Sequence, residues 1–155
     1  MRLSARLDYA LRAAAVLAAR GPRWTTAEEI ATDQDIPRKF LESILSQLRK
    51  GAIIESKRGA EGGHRLARPA ADTSLADVIR CIDGPLLGVR GQRPEEVRYE
   101  GSAAALADVL VALRAAERSI LERVSLADVA ARTLPAEVAA LIEDPDAWKV
   151  REIHG

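Results

Sequence analysis

The side chains best suited to chemistry lie between residues 38 and 59. A helix over the first part of this stretch carries Arg38, Lys39, Glu42, Ser43, Ser46 and Arg49 on the face away from its apolar one. These are donors and acceptors of the kind that meet phosphates and base edges in a DNA groove. Arg58 and Gly59 then open a Gly-rich turn, residues 58–63, which places a cation at a loop tip. Arg6 adds a further cation near the N-terminus. Nothing comparable supports catalysis. No Ser-His-Asp set, paired carboxylates, phosphate loop or metal-ligand spacing occurs, and the two histidines, His64 and His154, offer little acid–base chemistry. Neither an enzyme nor a bound cofactor is expected.

The elements that must position these side chains follow from local pattern. Leu3, Leu7, Ala10, Leu11, Ala14, Leu17 and Ala18 share one helical face. Ser4 can cap this first helix and Gly21-Pro22 ends it, so it spans about residues 4–20. Thr26 with Glu29 three residues on is a capping box for a second helix from Ala27 to Asp33. Pro37 starts a third, running to Lys50, with Phe40, Leu41, Ile44, Leu45 and Leu48 as its apolar face. Ile53–Lys57 and His64–Ala67 read as two short strands joined by the Gly-rich turn. A helix, a turn, a second helix carrying cations and a two-stranded wing form the layout of a winged helix-turn-helix, built to put one helix into a DNA major groove.

The pentapeptide SLADV then occurs twice, at 74–78 and 125–129. Each copy pairs Ser with Asp three residues on, so both read as helix N-caps. A fourth helix starts near Ser74 and ends before Gly84-Pro85. Residues 84–102, rich in Gly, Pro and charge, form a loop long enough to be functional or disordered. A fifth helix is expected from Ala103 to Val124. Its Leu106, Leu110, Leu113, Ile120 and Val124 recur at spacings of three and four, with Glu117 the polar member, a seam suited to dimerisation. Shorter helices are expected at 126–131 and 135–143, with an irregular tail from Asp144. The fold class is mainly α: a winged helix-turn-helix domain over 1–83, a linker over 84–102 as the effector or partner region, and a dimerisation helix with C-terminal helices over 103–155.

Composition bounds the same reading. The chain of 155 residues is 48% hydrophobic and only 3% aromatic, so its core must be Ala, Leu, Ile and Val, which favours helix. Formal net charge is zero. Residues 1–69, however, hold 13 Lys and Arg against 8 Asp and Glu, a net of +5, and residues 70–155 hold 10 against 15, a net of −5. The half with the helix-turn-helix pattern is thus the basic half. One cysteine, Cys81, cannot make an internal disulfide or a cysteine-only metal site. Between Ile79 and Ile82 it reads as a small buried apolar residue rather than a redox sensor. No run of about 18 apolar residues suggests a membrane span. Asp8 and Arg12 interrupt the apolar N-terminal stretch, whose period is helical. It reads as a core helix of a cytoplasmic protein rather than a signal peptide.

The segments MRLSARLDYALRA, FLESILSQLRKGAII, RGAEGGHRLARP and SLADVIRCIDGPL together resemble the Rrf-two family of bacterial winged-helix repressors, whose members include iron–sulfur assembly and nitric-oxide regulators. The resemblance runs in register over about residues 1–87 and more loosely beyond. It implies a homodimer held by crossed long helices on a palindrome-like operator, with the third helix in the major groove and the wing arginine in the minor groove. The matching positions are Lys39, Glu42 and Ser43, with Arg38 beside them, and Arg58 with Gly59 at the wing. Ser4, Arg6 and Tyr9 match positions that face the phosphate backbone, and Thr26 and Arg49 complete the expected DNA-binding set. On that basis Lys39 would donate to guanine O6 and N7 or to phosphate, Glu42 would accept from cytosine N4, and Ser43 could do either. Arg58 would enter a narrow A·T-rich minor groove.

The chain also departs from the family pattern. Cluster-binding members carry three cysteines in the loop before the long helix, and residues 84–102 have none, so an iron–sulfur cluster is not expected. Asp8 stands where one subgroup supplies a carboxylate ligand and reads here as an ion-pair partner. His64 stands where Tyr is common. Ala60 and Glu61 replace a Pro and an extra Gly in the wing, and Glu61 would face phosphate unfavourably. The expected function is a sequence-specific DNA-binding transcriptional regulator, a repressor, acting as a cluster-free homodimer that answers a small-molecule or protein effector. The alternative is a winged-helix protein–protein interaction module that has lost DNA binding and works through 84–102 and the fifth helix.

Overall fold

The computed structural model describes residues 3–150. Helix α1 (Ala5–Arg20) is its spine. It buries Leu7, Ala10, Ala13, Ala14, Val16 and Leu17, and the small alanines let neighbouring elements approach closely. The apolar N-terminal stretch is therefore a core helix, capped as expected by Ser4, whose hydroxyl accepts from the Leu7 amide at 3.1 Å. Against α1 pack α2 (Ala27–Gln34), α3 (Arg38–Lys50), α4 (Leu75–Asp83), α6 (Leu126–Ala131) and the second strand of the wing.

Thr26 and Glu29 form the expected reciprocal capping box of α2. Asp35 turns the chain in the left-handed region, at φ 50°, and buried Ile36 pins the turn before α3. Leu41, Ile44, Leu45 and Leu48 bury one face of α3. Phe40 does not join them: it is 56% exposed. Its ring stands beside the half-buried Tyr9, centroid to centroid 6.4 Å.

Strands β1 (Ile54–Lys57) and β2 (Gly63–Leu66) pair antiparallel, Ile54 opposite Leu66 and Lys57 opposite Gly63. Thr25 adds a third short rung, exchanging two hydrogen bonds with His64 at 2.9 and 2.8 Å. Gly63 is required there. It sits at φ 145°, and a Cβ would lie 2.6 Å from the Thr25 carbonyl oxygen.

Both SLADV copies begin helices through capping boxes, Ser74 with Asp77 for α4 and Ser125 with Asp128 for α6. The copies also lie side by side. The Leu75 amide donates to Val124 and the Leu126 amide to Thr73, at 3.0 and 2.8 Å. Leu126 is thereby fully buried in the core that contains Leu7 and Leu17. Helix α6 thus returns to α1 and packs into the core built on it.

Helix α5 (Leu106–Leu121) is shorter than the expected 103–124. Its sixteen residues span about 24 Å. A 3-10 turn at Gly101–Ala103 precedes it, opened by Gly101 at φ 56°. At the other end the chain extends so that Val124 can pair with Leu75. The 84–102 loop has structure of its own. It includes a Val89–Gln92 turn and a 3-10 turn at Pro94–Glu96 that packs on α5, and Pro94 and Val97 are buried. Helix α7 (Ala136–Glu143) leads to a 3-10 turn, Pro145–Trp148, in the tail expected to be irregular. The Trp148 indole N–H donates to the Ile142 carbonyl at 2.7 Å. His154 lies outside the described residues. No helix among them is long and apolar enough to cross a membrane.

Candidate nucleic-acid interface

The helical period of α3 puts Leu41, Ile44, Leu45 and Leu48 into the core and leaves Arg38, Lys39, Glu42, Ser43 and Arg49 exposed. Their partners differ. Arg38 pairs with Glu28 of α2 and, at 3.7 Å, with Glu42 one turn on. Among the described residues Lys39, Arg49 and Arg58 have neither an ion pair nor a hydrogen bond, so their charges are available to a ligand.

Between α3 and the wing runs a groove of about 450 Å³. Thr26, Glu42, Arg49, Arg58, Gly59 and His64 line it. The fold thus gathers five of the residues expected to meet DNA around one concave surface. Thr26 is less free than expected, since its hydroxyl already serves the α2 capping box. Gly59 sits at φ 104°, which lets the wing tip turn immediately after Arg58. His64 Nδ1 lies 2.8 Å from the Ser56 hydroxyl. Burial, and then the nearby Arg49 charge, lower its pKa and favour the neutral ring. Behind the wing the Arg65 guanidinium stacks over Trp24, 4.3 Å from the ring centroid, and pairs with Glu55, which stiffens the strand pair.

On the other side of α3 stands Arg6. Its Nη1 donates to the Ser43 hydroxyl at 3.0 Å, and its Nε and Nη2 donate to Gln47 Oε1 at 3.2 and 2.6 Å. Gln47 in turn donates to the Cys81 and Ile82 carbonyls at the end of α4. Sequence reasoning missed Gln47, and no signal marked it: a Gln on a polar helix flank is usually a solvated residue. Ser4 lies two residues before Arg6 with its hydroxyl engaged as a cap. Tyr9 is half-buried between Phe40 and the Arg12 guanidinium, 5.2 Å from its ring centroid, and packs on the core. Asp8, expected as an ion-pair partner, binds Arg12 at 3.1 Å.

Of the five residues expected to dimerise, Leu106, Leu110, Leu113 and Ile120 lie along one face of α5, and Val124 lies beyond its end. Leu106 and Leu113 are 49% and 38% exposed, with Val109 between them at 59%. Leu110 and Ile120 are half-covered by their own chain. Val124, at 2%, is a core residue of its own subunit and is not available to a partner. The exposed apolar stripe is therefore Leu106, Val109 and Leu113.

Cys81 is half-buried, with its thiol 3.5 Å from the Gln47 carbonyl. Burial raises its pKa, an effect partly offset by the Gly51 amide, so the thiol stays protonated and poorly nucleophilic. Among the described residues no group of three His, Cys, Asp or Glu side chains is placed to hold a metal ion.

Comparison with known proteins agrees with this architecture. A sequence profile of the Rrf2 family, described as iron-dependent transcriptional regulators, matches residues 3–132. A Mycobacterium tuberculosis (strain H37Rv) protein named as an HTH-type transcriptional regulator is 48% identical over 145 residues, 93% of this chain and 90% of the relative. An rrf2-like relative in Rhodobacter capsulatus is 32% identical over 151 residues, 92% of this chain and 99% of the relative. Among solved structures, CymR, the global cysteine regulator of B. subtilis, superposes with a TM-score of 0.73 at 27% identity, covering 86% of this chain and 98% of its own. The chain belongs to the Rrf2 family of transcriptional regulators.

Proposed function

We propose that the protein is a sequence-specific DNA-binding repressor that acts in the cytoplasm as a homodimer without an iron–sulfur cluster. The observation that carries this reading is the pair of uncompensated cations Arg49 and Arg58 lining the α3–wing groove, with Lys39 exposed on the first turn of α3 and the pinned Arg6 on the other side of that helix. Inserted in the major groove, α3 offers Lys39 to guanine or phosphate and Glu42 to cytosine N4. Arg38 partly neutralises Glu42 and so reduces its repulsion of the phosphates. Arg58 at the wing tip is suited to a narrow minor groove. Repression then follows from occupying the operator.

The exposed stripe Leu106–Val109–Leu113 supports a dimer, because contiguous apolar side chains on a soluble chain's surface usually mark an interface. Two helix-turn-helix units so joined would read half-sites about one DNA turn apart. The family profile is described as iron-dependent, but the residues here do not fit a cluster. Cluster ligation needs several thiolates, and this chain supplies one cysteine whose thiol burial keeps protonated.

Fluorescence anisotropy of the full chain against its own upstream region, beside a scrambled duplex and over a salt series, tests the proposal. Binding should prefer the upstream region and fall steeply with salt, by about 0.9 in the log–log slope for each phosphate neutralised. Arg58→Ala should weaken binding most at A·T-rich sites. Weak binding that is equal on both duplexes would replace the repressor with the protein-interaction module.

A further inference from the structure

After α4 ends at Asp83 the chain turns through Gly84, Pro85, Leu86 and Leu87, and the 84–102 loop packs back on α5. These elements line an open cleft of about 460 Å³, within the volume range of small-molecule sites. Its apolar part is Pro85, Leu86 and Leu87. Its polar wall holds four guanidiniums: Arg80 from α4, Arg93 from the loop, and Arg114 and Arg118 from α5. Two carboxylates answer them. Glu95 pairs with Arg114, and Glu122 is shared by Arg80 and Arg118, the latter at 3.0 Å. Four cations against two anions leave a surplus of two positive charges. Arg93 has no ion pair of its own among the described residues. The surplus stands out in a C-terminal half whose net charge is −5.

We propose that this cavity binds a small anion of two or more negative charges, a phosphate ester or a polycarboxylate, and is the regulator's effector site. The second clause rests on the DNA-binding reading above. Guanidiniums suit such a ligand because each can give two parallel N–H donors to an oxyanion. Glu95 and Glu122 hold three of the four in place before the ligand arrives, which lowers the ordering cost of binding. The apolar side can take a carbon skeleton. The cavity shares no lining residue with the α3–wing groove, so it is a second site and not an extension of the DNA surface.

A route to the DNA surface is also present. The carbonyls of Cys81 and Ile82, between Arg80 and Gly84 of the cavity lining, are held by Gln47 of α3, which also holds Arg6. An anion that draws in Arg80 and the loop acts on the last turn of α4, and that turn is tied to the recognition helix.

Isothermal titration calorimetry on the full chain at fixed ionic strength tests the site, with pyrophosphate and citrate as probes and acetate as the monovalent control. One saturable site per chain is expected for at least one multivalent probe and none for acetate, and the stronger of the two probes identifies the ligand class. Arg93→Ala should weaken binding tenfold or more and Arg93→Glu should abolish it. Unfolding midpoints close to wild type would show that both variants fold. Absence of saturable binding, or equal binding by wild type and Arg93→Glu, overturns the site. With saturating anion the DNA affinity of the wild type should change at least fivefold, and that of Arg93→Glu should not. Unchanged DNA affinity in a wild type that binds the anion overturns the effector role. Loss of specific DNA binding with and without anion would overturn the repressor reading instead, leaving the calorimetric result intact.

Discussion

Gln47 grips Arg6 with its amide oxygen, at 2.6 Å from Nη2 and 3.2 Å from Nε, while its amide nitrogen holds the last carbonyls of α4. One side chain therefore ties the start of α1, the recognition helix and the end of α4. A flexible surface arginine becomes a cation of defined position, with less rotamer freedom left to lose in binding an anion.

Replacing Gln47 with Ala should expose that role. Two carbonyls lose their donor and Arg6 loses its anchor, at a cost of about 1–2 kcal/mol in stability by urea unfolding. Affinity for the operator should fall about fivefold or more, since an unheld Arg6 must be ordered on binding. Lower stability with unchanged DNA affinity would show that Arg6 does not contact DNA.

The apolar stripe on α5 predicts oligomeric state. Leu106→Glu with Leu113→Glu places two carboxylates at exposed positions outside the buried core, so the fold should survive. Sedimentation should show a dimer for the wild type and a monomer for the variant, and operator affinity should fall by orders of magnitude in the variant, because two half-sites no longer act together. A dimer that persists in the variant would move the interface elsewhere.

Gly51 and Cys81 form a pair whose contact can be tested directly. A Cβ at Gly51 would lie 2.3 Å from the Cys81 sulfur, although the backbone there, at φ −82°, accepts any residue. Gly51→Ala should thus destabilise by roughly 1–3 kcal/mol through overpacking alone. Adding Cys81→Ala removes the sulfur and should recover most of that loss in the double variant, measured by urea unfolding. If the double variant is as unstable as the sum of the two single ones, the two residues do not touch as described.

Elements set by neighbours along the chain are legible in the sequence, and those set by neighbours in space are not. The Thr26 and Ser74 capping boxes, the α3 apolar stripe and the Gly-rich wing each depend on contacts within a few residues. Both SLADV copies are readable as caps for the same reason. That Ser74 and Ser125 face each other across a bridge is not readable, because it depends on α6 returning to α1. Phe40 reads as part of the apolar face of α3, but in the first turn it is Leu41 that enters the core while the Phe40 ring stays exposed beside Tyr9. The arginines of the α4–α5 cavity each sit on a polar helix face or loop and read singly as solvated charge. Their gathering depends on α4 meeting α5, where Arg80 and Arg118 share Glu122, and on the docking of the 84–102 loop, pinned by buried Pro94 and Val97, which adds Arg93.

His64 predicts how stability and DNA binding should respond to acid. Burial and the Arg49 charge hold its pKa below the ordinary 6.5 in the folded chain. In the window between that lowered value and 6.5 the unfolded chain binds a proton that the folded chain refuses. Stability should therefore be fully present above pH 6.5 and fall as the pH drops below it, and His64→Gln should flatten that fall in urea unfolding measured from pH 7.5 to 5. DNA should reverse the preference. His64 lines the groove with Arg49 and Arg58, where a phosphate would stabilise the imidazolium that burial and the Arg49 charge disfavour in the free protein. Operator binding should then take up a proton, and affinity should rise between pH 7.5 and 6 more in the wild type than in His64→Gln. Parallel pH profiles of DNA affinity in the two proteins would show that no phosphate approaches this side of the groove, and would place the DNA on the Arg6 side of α3.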